Sequence, residues 1–83
     1  MNKTDILKTA LEGRNQEILG YQINIDNYVR AIAKINAEHA DNAAMIEFRD
    51  QLTDMLTSNK AEQLKTIVIR DVIVDQLSEL EAV

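Results

Sequence analysis

No cysteine and no proline occur in the 83-residue chain, and its only glycines are Gly13 and Gly20. Without thiols there is neither a disulfide framework nor a thiolate metal site, a composition that suits a reducing cytosol. With almost no breakers, little interrupts a helical backbone. Histidine is also nearly missing: His39 stands alone, so no second imidazole completes a zinc site. The N-terminal stretch MNKTDILKTALEG lacks the apolar core of a signal peptide. The longest apolar runs are IVI and VIV, far short of the roughly 18 residues of a membrane span. These absences predict a single soluble, cytoplasmic, largely helical domain without a cofactor. A chain this short buries only a modest core unless another copy adds to it.

Basic charge is scarce where it would be needed for nucleic acid. Residues 1–40 balance Lys3, Lys8, Arg14, Arg30 and Lys34 against five acids, so the net charge of −5 lies wholly in residues 41–83. Phosphate backbones are bound by a basic face that displaces counterions, and an acidic half repels them. Direct DNA or RNA binding is therefore not expected, and neither is membrane binding.

What is present is a heptad repeat. Leu7, Leu11, Ile18, Tyr21, Ile25, Tyr28, Ile32 and Ile35 recur at alternating steps of four and three, with Arg14 the one polar member and His39 next in register. A 3.5-residue period sustained over four heptads predicts a helix packed along a seam. The helix is expected over about 4–38, with Thr4 as its N-cap and Asp5 favourable in its first turn. Arg14 should snorkel outward or pair with a carboxylate from the other half of the chain. Ile6, Ala10, Val29 and Ala33 widen the apolar face.

The segment AEHADN suits a tight connection at about 39–42, with Asp41 or Asn42 capping a second helix. Met45, Phe48, Leu52, Met55 and Leu56 carry a helical pattern over about 43–57. Asn59 with Glu62 resembles a capping box, so residues 57–60 are where the second arm could kink before a helix over about 60–80. The run TIVIRDVIV is rich in β-branched residues and would suit short strands, but Arg70-Asp71 makes a poor hairpin turn. Helical spacing places Thr66, Ile69, Ile73, Leu77 and Leu80 on one face, and Leu64, Val68 and Val72 on the next. Ile67 and Val74 fall outside both.

The predicted fold is all-α: an antiparallel, coiled-coil-like helical hairpin, with more apolar surface than two helices can cover. Surplus apolar stripes point to self-association, and a four-helix homodimer or higher oligomer is the expected assembly. Tyr21, Asn24, Ile25, Tyr28, Ile32, Ile69, Ile73 and Leu77 are the candidate interface residues, with Asn27 beside them. Tyrosine suits such a role because its large ring carries one polar handle. The same two tyrosines can equally be core residues of an amphipathic helix, and the sequence leaves both readings open.

Catalytic chemistry finds no footing. Asp50 and Asp54 fall at i, i+4 on a charged face, which keeps carboxylates solvated. No Glu-x-x-His pair exists for a di-metal bundle, no Gly-rich loop for a phosphate, and no local base beside Ser58 or Ser78. The chain is not expected to be an enzyme.

The strings EILGYQINIDNYVRAI, EFRDQLTDML and EQLKTIVIRDVIVDQL resemble small helical proteins encoded by tailed bacteriophages. That resemblance implies an accessory protein acting in a bacterial host, by binding and inhibiting or modulating a host or defence factor. Two other functions stay open. One is a ligand sponge holding a nucleotide-type signal between subunits, for which Arg14, Arg30, Lys34 or Arg70 would have to converge. The other is a structural or assembly chaperone.

Overall fold

The computed structural model describes residues 2–82 and contains two antiparallel helices, α1 (Lys3–Glu38) and α2 (Ala43–Glu81), joined through residues 39–42. At about 1.5 Å per residue such helices are between 50 and 60 Å long, in keeping with overall Cα extents of 63 × 16 × 16 Å. The shape is a rod: the radius of gyration is 18.5 Å, against about 12 Å for a compact chain of this length.

Side chains set the ends of both helices. Asn2, not Thr4, caps α1, its Oδ1 accepting from the Asp5 backbone N–H at 2.9 Å. The shift by half a turn costs the heptad nothing, because Thr4 then occupies the first seam position and is half-buried. His39 closes α1 through its backbone N–H to the Ile35 carbonyl at 2.8 Å. Its side chain is exposed, so the seam ends one position earlier than the repeat suggests. Asn42 is the N-cap of α2, accepting from the Met45 N–H at 3.2 Å.

The helix α2 runs without interruption through residues 57–60, and residues 66–74 are helical. The Asn59 side chain is drawn elsewhere than into a capping box. Its Nδ2 donates to the Met55 carbonyl at 2.9 Å, and its Oδ1 accepts from Asn24 Nδ2 across the hairpin at 3.2 Å. Thr53, Thr57 and Thr66 likewise return their hydroxyls to the carbonyl four residues back. These bonds satisfy residues that otherwise favour caps and turns.

The α1 seam is the predicted one. Ile25 and Ile35 are buried, and Leu7, Leu11, Ile18, Tyr21, Tyr28 and Ile32 are half-buried along the same line. Opposite them, α2 presents Met45, Arg49, Leu52, Leu56, Asn59, Gln63, Thr66, Arg70, Ile73 and Leu77, also at alternating steps of four and three. Phe48, Met55 and Ile69, expected within the apolar faces that meet α1, are exposed instead. Each lies beside the seam on the same flank of α2, one residue from the side chain that took the inner position: Arg49 beside Phe48, Leu56 beside Met55 and Arg70 beside Ile69. Arg14 does not pair across the hairpin; its Nη1 bonds Glu17 of its own helix at 3.1 Å.

Four cross-helix hydrogen bonds fix the register. Asn24 meets Asn59, Arg49 Nη1 donates to Asn36 Oδ1 at 3.0 Å, and Gln63 Nε2 donates to Gln22 Oε1 at 2.9 Å and to the Ile18 carbonyl at 3.2 Å. In that register Ile32 lies level with Leu52, Tyr21 with Gln63, and Arg14 with Arg70. The hydrophobic core is confined to one line of contact, and its buried apolar members are Ile25, Ile35, Leu52, Ile73 and Leu77. The accessible surface is 5975 Å², whereas a compact monomer of 9.4 kDa exposes about 5000 Å².

Candidate functional site

Most of the sequence-predicted interface residues are consumed inside the hairpin. Ile25, Ile73 and Leu77 are buried between the helices, and Tyr21, Tyr28 and Ile32 are half-buried in the same seam. Asn24 is exposed but committed to Asn59. Asn27 and Ile69 lie outside the seam, Ile69 remaining 47% exposed. The tyrosines thus lie along the contact between α1 and α2, each keeping part of its surface open to solvent.

Other apolar side chains lie outside the seam. Leu64 is 63% and Val68 61% exposed, and Leu19, Ile23, Val29, Phe48, Met55, Ile69, Val72 and Val74 are also open to solvent. Between Leu64 and Val74 the helix α2 is apolar nearly all round, a pattern that belongs to a helix covered on more than one side. Solvent-exposed apolar residues are common singly; along this rod they recur on both flanks, interrupted by charged residues such as Lys60, Glu62 and Asp71. The signal for them was present as the surplus of apolar positions in TIVIRDVIV, but their direction required knowing that Arg70 faces α1.

The seam divides the rod into two flanks. One is marked by Gln22, Lys60 and Leu64, which line a shallow groove over Ile25 and Gln63. Heptad geometry adds Lys8, Leu19, Val29 and Val74 to this flank. Its acids are Asp5, Glu12, Asp26, Asp50, Asp71 and Glu81, opposed by Lys8, Lys60 and the outward-leaning Arg49 and Arg70. The other flank carries Ile6, Ala10, Ala31, Phe48, Met55, Ile69 and Val72. There Lys3, Lys34, Lys65 and the leaning Arg14 match Glu17, Glu38, Glu62 and Glu79 in number. Three exposed ion pairs within single helices lie on it: Arg14–Glu17, Lys34–Glu38 and Glu62–Lys65.

Both glycines sit on this second flank, one heptad apart. Glycine inside a helix costs about 1 kcal/mol against alanine. Nothing within the chain requires it here: a Cβ at Gly13 or Gly20 would meet no atom within 4 Å, and neither residue has positive φ.

Chemistry of other kinds has little to work with. Among the described residues no group of three or more His, Cys, Asp or Glu side chains is placed to hold a metal. No described helix is long and apolar enough to cross a membrane. Besides the groove over Ile25 and Gln63, two further concavities are open and shallow, one at the connection around His39–Ala43 and one on α1 between Lys8 and Leu19. Of the four cations considered for anion binding, only Arg14 and Arg70 come level in the seam, and each already bonds a carboxylate of its own helix, Arg70 Nε reaching Asp71 at 3.1 Å. Arg30 lies on the outer side of α1, and Lys34 pairs with Glu38 at 3.6 Å.

No protein family, curated protein or solved structure matches the chain.

Proposed function

We propose that this protein is a non-catalytic helical oligomer that acts by binding other proteins through the outer faces of its hairpin. One observation carries the reading: large apolar side chains of α2, led by Leu64 and Val68, stand outside the seam between the two helices. Burying such residues against another surface removes apolar area from water at about 25 cal/mol per Å², which is how helix faces recognise partners. Taken with the resemblance to small phage-encoded helical proteins, the partner is a protein of a bacterial host, bound so as to inhibit or modulate it.

The test is photo-crosslinking in bacterial lysates from a probe at Leu64, with a probe at the buried position Ile25 as control. A discrete adduct with a second protein, formed from position 64 only and displaced by unlabelled protein, is the expected result. Self-adducts alone, across several hosts, would sink the proposal.

The level placement of Arg14 and Arg70 favours a second reading, a sponge for a phosphate-bearing ligand held between subunits. It requires both guanidiniums to exchange their carboxylates for phosphate. A panel of cyclic and linear nucleotides that leaves the melting temperature unmoved removes it.

A further inference from the structure

We infer that the charge-balanced flank, bearing Ala10, Gly13, Phe48, Met55, Ile69 and Val72, is a two-fold interface on which a second copy of this chain sits antiparallel. The inference deepens the proposed oligomeric function and rests on its premise that the outer faces are covered.

Area supplies the first argument. The rod exposes 5975 Å², about 1000 Å² more than a compact chain of its mass. A standard interface removes about 800 Å² from each partner, so one flank of one further copy accounts for the excess.

Charge selects the flank. A two-fold interface sets a surface against itself, so any net charge on it is doubled and opposed. On the chosen flank four cations match four anions, and three of the ion pairs are already closed within single helices. The flank marked by Leu64 and Lys60 keeps an acidic excess even after Arg49 and Arg70 are counted. Self-pairing there meets repulsion, and the acidic flank is left outward.

Shape gives the orientation. Phe48 and Met55 lie toward the connection, while Ala10, Gly13, Ile69 and Val72 lie toward the open end of the hairpin. Antiparallel packing sets Phe48 and Met55 of one protomer over the open end of its partner, where Ala10 and Gly13 leave room beside Ile6, Ile69 and Val72. Gly13 and Gly20 then have the reason they lack within a single chain: absent Cβ atoms let a neighbouring helix come close.

Sedimentation equilibrium over a hundredfold concentration range tests this, with far-UV circular dichroism confirming helicity of each variant. Wild-type protein is expected to associate. Ile69→Glu should weaken association at least tenfold, and Leu64→Glu, on the other flank, should leave it within about twofold. The double change Gly13→Ala with Gly20→Ala fills no occupied space in the single chain, so it should preserve helicity while weakening association. A wild-type monomer at every concentration overturns the inference. So does association lost in Leu64→Glu and kept in Ile69→Glu, or lost equally in both, or unchanged by the glycine substitutions. The proposed binding function fails separately, through an absence of foreign adducts from position 64, whatever the mass of the particle.

Discussion

Along α1 the residues turned toward the partner helix are apolar from Leu7 to Ile35, with Arg14 the exception. Along α2 half of the ten seam residues are polar: Arg49, Asn59, Gln63, Thr66 and Arg70. The second helix nevertheless has the larger store of apolar side chains, and it keeps them outside. This contrast separates two uses of apolar residues. In α1 they hold the hairpin shut. In α2 a minority does so, while the rest faces solvent. Polar seam residues weaken the hairpin but specify it, because Gln63 bonds Gln22 and Ile18, and Asn59 bonds Asn24, in one register only.

The contrast can be broken or sharpened by substitution, read as the free energy of urea-induced unfolding. The largest effect is expected at the apolar seam, where Leu52 is 4% exposed and Ile25 is 7% exposed. Leu52→Ala or Ile25→Ala should each cost about 2–4 kcal/mol through lost burial and the cavity left behind. A cost below about 1 kcal/mol at both would mean the hairpin is held by something other than this seam. Next comes the polar seam, where Gln63→Ala removes two cross-helix hydrogen bonds and should cost about 1 kcal/mol. Its replacement by leucine is the sharper version: stability should hold or rise while the register loosens, visible as faster amide exchange across Gln22 and Ile18. Removal of the α2 cap by Asn42→Ala should cost about 1 kcal/mol as well, with fraying of the first turn seen in the same exchange experiment. The smallest effect is expected outside the seam of α2, where Leu64→Gln should stay within about 0.5 kcal/mol. A loss at Leu64 as large as that at Leu52 would erase the distinction between the two uses.

The first helix was legible because its apolar positions and its buried positions are the same ones. A 3.5-residue period over Leu7 to Ile35 leaves one reading, and the hairpin followed from the length of the second half and the connection at AEHADN. The α2 pattern was not legible in the same way. Two periodic sets overlap there, one through Leu52, Leu56, Ile73 and Leu77 and another through Phe48, Met55 and Ile69, a residue apart. Hydrophobicity alone assigns Ile69 to the core and Arg70 to solvent. The observed choice is the reverse, because Arg70 continues the four-three alternation that keeps α2 in contact with α1 along its length. A long aliphatic stem lets arginine occupy such a position with its guanidinium turned outward to Asp71. The displaced cap of α1 has a smaller cause: Asn2 and Thr4 are both competent, and half a turn separates them.

By itself, then, the sequence determined that this chain is helical, that it folds back once near residue 40, and which line of α1 is covered. Those properties come from local propensity and from a single unambiguous period. Only the tertiary structure decided which line of α2 meets it, that Tyr21 and Tyr28 lie half-buried along that contact, and that Leu64, Val68 and Ile69 are left outside. A helix with apolar residues on every side can turn any of its faces inward, and the choice is made by the partner helix against which it must keep step.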